Sequence, residues 1–129
     1  MHPLLLLENH YVAAHVAYSW FIMAALVLLS ILGKATEPMY GYQIAKVIDG
    51  QGEDAGVLKQ GALYPVLRSL ESGGLLESRV EPSVSGPPRR YYQITELGRT
   101  TLARWREMWN QMRTFVDTVM KGEGNGQEH

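Results

Sequence analysis

From Lys59 to Ile94 the chain reads KQGALYPVLRSLESGGLLESRVEPSVSGPPRRYYQI, and the architecture turns on these residues. Leu63, Val66, Leu67 and Leu70 recur at helical spacing, so a helix is expected from about Lys59 to Ser72, stopped by Gly73-Gly74. A helix tolerates proline within its first turn, and Pro65 therefore puts the true start at Gly61 or Ala62. Leu75 to Val80 alternates weakly, as a strand does. Pro82 to Pro88, with Ser83, Ser85 and Gly86, is a loop, and Arg89 to Ile94 with its paired aromatics is the returning strand of a β-hairpin.

Working upstream, Tyr40 to Asp49 spaces Tyr42, Ile44, Ala45 and Ile48 as one helical face and closes at Gly50, with Gln51 to Gly56 a polar loop after it. Thr36-Glu37-Pro38 breaks the chain before it. An apolar helix from about Tyr18 to Leu32 precedes the break, stopped at Gly33 with Lys34 near its C-terminus. Downstream, Thr95 is a good N-cap and Leu97 opens a last helix running to about Lys121. The order is three helices, a hairpin and a long helix, which is that of a winged helix-turn-helix. The expected class is mainly α with a small β-hairpin (α+β). Residues 1–17 form an extension, 18–94 the winged-helix domain, 95–121 a dimerisation helix and 122–129 a flexible tail.

Composition narrows the function. At 129 residues, 46% apolar and 19% charged, the chain suits one domain with a single core. The absence of Cys excludes disulfides, thiolate catalysis and Cys-ligated zinc, and a cytoplasmic setting is the expectation. No phosphate loop or Gly-x-Ser-x-Gly occurs, and His10 and His15 are five apart, off the spacing of one helical face. His2 and His129 lie near the ends. Neither an enzyme nor a metal or cofactor site is expected.

Asn9 to Gly33 carries no Asp, Glu, Lys or Arg, which raises the question of a membrane span. The residues before it lack a cationic leader, and no paired Lys or Arg flank sets an orientation. A helix apolar all round equally suits a buried core or a dimer interface. Along the last helix Leu102, Trp105, Trp109, Met112, Val116 and Val119 step by 3, 4, 3, 4 and 3, a heptad seam too short to stand as a free coiled coil. The apolar faces of the first and last helices are wider than one small core uses. A homodimer built from terminal helices is the expectation, with Trp105 and Trp109 in its packed seam rather than in a stacking pocket for an effector, whose existence the residues leave open.

Three segments give the chain a family resemblance: Met39-Tyr40-Gly41-Tyr42-Gln43-Ile44, then Gly61-Ala62-Leu63-Tyr64-Pro65-Val66-Leu67-Arg68-Ser69-Leu70-Glu71 through Gly73-Gly74-Leu75-Leu76, and Gly86-Pro87-Pro88-Arg89-Arg90-Tyr91-Tyr92 into Thr95-Glu96-Leu97-Gly98. In this order and spacing, over about Phe21 to Met112, the chain resembles the PadR family of transcriptional regulators. The resemblance implies a winged-helix homodimer that binds double-stranded DNA, usually a repressor, with the C-terminal helix as its dimer contact. Its extension before Phe21 is longer than the family's usual start, and a single C-terminal helix replaces the several of the larger branch, which puts a family-type ligand pocket in doubt. A long extension on a short domain is similar to the cyanobacterial period-extender clock modifiers, which implies clock gene expression as the target.

Net charge is −1, from 12 Lys and Arg against 13 Asp and Glu, so only an uneven distribution can attract DNA. The distribution is uneven: between Arg79 and Arg113 there are seven Arg and three Glu. Arg89 and Arg90 sit beside the loop tip and alternate in a strand, so one is expected to reach a phosphate or the minor groove while the other braces the hairpin. On the third helix Lys59, Gln60, Tyr64 and Arg68 are the candidate contacts, and Gly61 and Ala62 let the backbone approach phosphate. Tyr64 suits a half-buried ring as well as a contact. Gln60 is the amide placed to pair with adenine, so direct base readout is thin. Tyr40, Tyr42 and Gln43, at the second helix's start, are placed to meet the backbone, although a tyrosine at position 42 is more often core. Two alternatives stay open on the residues alone: a protein-interaction module on the same scaffold without DNA binding, and a membrane-tethered regulator.

Overall fold

A computed structural model describes residues 20–50 and 60–125. Helix α1 (residues 20–34) is followed by strand β1 (Met39–Tyr40), helix α2 (Gly41–Asp49), helix α3 (Gln60–Ser72), strand β2 (Leu76–Glu81), strand β3 (Arg89–Ile94) and helix α4 (Glu96–Asn125). The strands form an antiparallel sheet in the order β1-β3-β2. This is the expected mainly helical winged-helix architecture, with one strand more than the hairpin. The N-terminal extension 1–17, Lys59 and residues 126–129 lie outside the described residues.

Ala24, Ala25, Leu28, Leu29 and Leu32 of α1 pack against Ile44 and Ile48 of α2, the predicted α3 stripe of Leu63, Val66, Leu67 and Leu70, and Leu76, Tyr92 and Ile94 of the sheet. Burying such side chains stabilises by roughly 1.5–3 kcal/mol each. The opposite side of α1 is also apolar, and Trp20, Ile22, Met23 and Val27 are exposed on it. No helix among the described residues is long and apolar enough to cross a membrane.

Four local expectations are corrected. Tyr40 does not open a helix: it ends β1, pairs with Tyr91 and sits at the N-cap of α2 in extended backbone, φ −97° and ψ 165°. A two-residue strand is too short for alternation to reveal. Gly33 is not a stop, because α1 continues to residue 34; it is small instead because Leu102 of α4 crosses there, and a Cβ would stand 3.0 Å from that side chain. Pro65 is the sixth residue of α3, beyond its first turn. A proline there leaves the Gly61 carbonyl without its helical donor, and Gly61 is exposed, so water can satisfy it. Finally α4 passes Lys121 and Gly122 to Asn125, since no proline interrupts it and Gly122 avoids positive φ.

The stop at Gly73-Gly74 is as expected. Gly74 has φ +80°, Leu75 N–H donates to the Leu70 carbonyl at 2.9 Å and Gly74 N–H to the Glu71 carbonyl at 3.0 Å, the two bonds of a Schellman turn. Thr95 caps α4 by accepting the Gly98 N–H at 3.0 Å. One turn into α4, Gly98 passes so close to the Leu75 carbonyl that a Cβ there would overlap it. Gly98→Ala should therefore destabilise by about 1–3 kcal/mol in urea unfolding, as overpacking against fixed backbone does. Gly122→Ala, where a Cβ meets open space, should be neutral or stabilising by up to about 1 kcal/mol.

Candidate nucleic-acid interface

The face of α3 opposite the core carries Gly61, Tyr64, Pro65, Arg68, Ser69 and Ser72, all exposed. Their spacing makes one stripe along the helix, so the side that is not core is continuous and small or polar apart from Tyr64 and Pro65. Gln60 opens the helix. Tyr64 is 48% exposed, and its ring lies over Gly41, the first residue of α2, where any Cβ would overlap the phenol. Half of the Tyr64 ring packs the α2–α3 corner and half faces solvent.

Strand register fixes the two arginines of the wing. Arg89 pairs with Glu81 and Arg90 with Val80, so the two point to opposite faces, and both are exposed. Arg90 lies on the face that carries Tyr92 and Ile94. Its Nη1 donates to Ser78 Oγ at 3.0 Å, and the Ser78 hydroxyl in turn donates to the Glu71 carboxylate of α3. This arginine braces the hairpin against α3. Arg89, on the other face, lies 4.5 Å from the ring centroid of Tyr40 and holds no carboxylate among the described residues; Glu81 is taken instead by Arg79 at 2.8 Å. Among the described residues Arg90 is hydrogen-bonded to a side chain, while Arg89 lies against an aromatic ring.

Tyr92 sits beneath this junction, and burial, with the Glu71 charge second, pushes its phenol above the usual tyrosine range against the opposing pull of Arg90 and Arg68. The proton therefore stays on throughout the physiological range. A folded value above the unfolded one makes the associated stability complete below pH 10.0 and lost as the pH rises beyond it.

At the start of α2, Gln43 serves the helix itself, its Oε1 accepting the Tyr40 N–H at 3.1 Å. Tyr42 is not core. It is 56% exposed because Gly41, Ile44 and Ile48 form the buried face. Lys46 stands over its ring at 5.1 Å. Lys46, Ser69 and the Glu71–Ser78–Arg90 chain are additions that sequence reading missed. For Lys46 the signal was present, a tyrosine four residues earlier on one helical face.

Of the expected seam on α4, Leu102 is spent within the chain's own core at 6% exposure, because α4 crosses α1 there, and Trp105 packs partly against that core. Trp109, Met112, Val116 and Val119 are exposed, and Met108, Phe115 and Met120 widen the stripe. From Arg106 to Gly122 every residue of α4 is exposed, a projection of about 25 Å at 1.5 Å per residue.

The family model for the PadR-like transcriptional regulators matches residues 28–104. An uncharacterized protein of Lysinibacillus sphaericus is 30% identical over 83 residues, 64% of this chain and 76% of that one. Among solved structures, a PadR-like transcription factor from Bacteroides fragilis is 25% identical with a TM-score of 0.69, over 82% of this chain and 98% of its own. A PadR family transcription regulator from Clostridium difficile is 30% identical with a TM-score of 0.65, over 75% and 97%. A third, from Eggerthella lenta, is 29% identical with a TM-score of 0.66, over 89% and 96%. The likeness to clock modifiers rests on the extension before Phe21, of which residues 1–19 lie outside the described residues.

Ser78→Ala should cost about 1 kcal/mol in urea unfolding by cutting the hydrogen-bond chain from Arg90 to Glu71. Combined with Glu71→Gln, the two effects should sum to less than their separate costs.

Proposed function

The chain belongs to the PadR-like family of transcriptional regulators, and from that premise we propose that it acts in the cytoplasm as a homodimeric repressor occupying a pseudo-palindromic promoter site. DNA-binding regulation is the family's work; repression, symmetry and the residues that make contact are the further reading. The observation that carries it is a run of contacts from α3 to the wing: the exposed α3 stripe with Tyr64 and Arg68, the Tyr64 ring over Gly41 at the start of α2, and beside it Arg89, 4.5 Å from the Tyr40 ring centroid and free of any carboxylate among the described residues. In this arrangement α3 enters the major groove, with Gln60 at its first turn and Lys59 just before it, and the wing reaches the neighbouring backbone or minor groove. A repressor of this kind works by occupancy. It needs affinity and register, and no reacting group.

The apolar stripe from Met108 to Met120 and the exposed side of α1 support the dimer. A seam of Trp109, Met112, Val116 and Val119 buries surface that a solvated monomer leaves in water. A two-fold dimer places its half-sites about one helical turn apart, roughly 10 bp, or a multiple of it.

Titration of full-length protein against its own upstream promoter, with a scrambled duplex as competitor, should give saturable binding that weakens steeply between two salt concentrations. Arg89→Met combined with Arg90→Met should lower promoter affinity at least tenfold; unchanged affinity would remove the wing from the interface. Equal weak binding to both duplexes would mean a target elsewhere or a missing effector, and no binding at all would favour the protein-interaction reading of the scaffold. In light scattering the wild type should run as a dimer and Val116→Glu as a monomer.

A further inference from the structure

Two cations and two tyrosines line up across the boundary between wing and α2. The Arg89 guanidinium lies 4.5 Å from the Tyr40 ring centroid. Tyr40 stacks on Tyr42 with centroids 6.4 Å apart and planes 19° apart. Lys46 Nζ lies 5.1 Å from the Tyr42 centroid. The sequence in space is cation, ring, ring, cation. Tyr40 is fixed from two further sides, by β pairing with Tyr91 and by an edge-on contact between their rings at 5.3 Å.

A ring face attracts a cation by its negative quadrupole, and it does so without neutralising the charge. Among the described residues the ion pair is Arg79–Glu81, so Arg89 and Lys46 keep their full charge toward solvent. Both are long side chains whose rotamer freedom would otherwise be surrendered on binding. The stack removes much of that freedom in advance. It also couples an arginine of the wing to a lysine of α2 through two rigid planar groups, which sets the separation of the charges.

We propose that Lys46 is a second backbone-phosphate contact, and that Tyr40 and Tyr42 are positioning residues that hold Arg89 and Lys46 at the two ends of one aromatic stack. The two cations then meet two phosphates of the bound duplex at a fixed separation. This rests on the DNA-binding reading of the surface above, and it gives the tyrosines a task that requires their rings and not their hydroxyls.

The test is a salt-dependent titration of full-length protein with its promoter duplex, alongside proton spectra of the free protein. Lys46→Met should lower affinity and make the plot of log K against log salt shallower by roughly 0.9 for each phosphate that Lys46 neutralises in the wild type. Tyr40→Leu and Tyr42→Leu should each weaken binding about two- to five-fold, the range of an exposed cation–π contact. Tyr40→Phe and Tyr42→Phe should leave affinity and slope as in the wild type. In the free protein, the side-chain protons of Arg89 and Lys46 should show upfield ring-current shifts that survive the Phe changes and vanish in the Leu ones. Since Tyr42 is exposed, Tyr42→Leu keeps the fold even if Tyr40→Leu does not. Phe variants that weaken binding as far as the Leu variants would overturn the positioning role, because the hydroxyls would then be the contacts. Wild-type binding with Lys46→Met at wild-type affinity and slope overturns the proposal alone, whereas a wild type that binds no duplex overturns the DNA-binding reading and the proposal together.

Discussion

Thr95, the single residue between β3 and α4, holds three elements of the molecule in one frame. Its N–H donates to the Leu75 carbonyl at 3.1 Å, its hydroxyl donates to the Gly74 carbonyl at 2.7 Å, and the same oxygen accepts the Gly98 N–H at 3.0 Å. Gly74 and Leu75 are where α3 hands over to the wing. The end of α3, the root of the wing and the first turn of the projecting helix are therefore tied within a few residues. Each such bond contributes only about 1 kcal/mol net. Their weight lies in direction, because three elements that must face different ways leave one junction at set angles.

Charge is arranged by the same economy of position. A chain of net charge −1 has no long-range pull on a polyanion unless its cations are gathered and left unpaired. Here the wing separates its two arginines by function: Arg90 is drawn inward through Ser78 to Glu71, while Arg89 is kept outward against an aromatic face. Arg79, by taking Glu81, removes the carboxylate that stands opposite Arg89 in the ladder. The two arginines are thus set in different surroundings by the fold itself.

What the sequence made legible follows from which signals are local. The α3 stripe, its Schellman stop, the seven-residue loop and the Thr95 cap are each written in neighbouring residues, and all are present in the structure. The same strand alternation that reads β3 also separates Arg89 from Arg90. The features that escaped are decided by partners far along the chain. Strand β1 exists because Tyr91 offers it a place, Gly33 is small because Leu102 crosses it, and Leu102 leaves the seam because α4 meets the core before projecting. Tyr42 reads as core on periodicity, yet Gly41 is the buried neighbour because Tyr64 rests on it. In each case a tertiary contact overrode a local pattern, and it did so where elements meet rather than within them.

The projecting helix has a geometric consequence of its own. Helix α4 is one unbroken rod from the Thr95 junction to Asn125, and its rise is about 1.5 Å per residue. In a pair of subunits sealed along its exposed stripe, sliding one helix past the other by one heptad would displace the two winged-helix domains by about 10 Å, while a step along one DNA strand is about 3.4 Å. On the proposed DNA-binding reading the helix would act as a ruler whose graduations are heptads, each worth about three base pairs of operator spacing. On that reading, relatives with the same α3 residues but a pairing slid by one heptad would read the same half-sites at a different separation, an address written in apolar side chains away from the DNA.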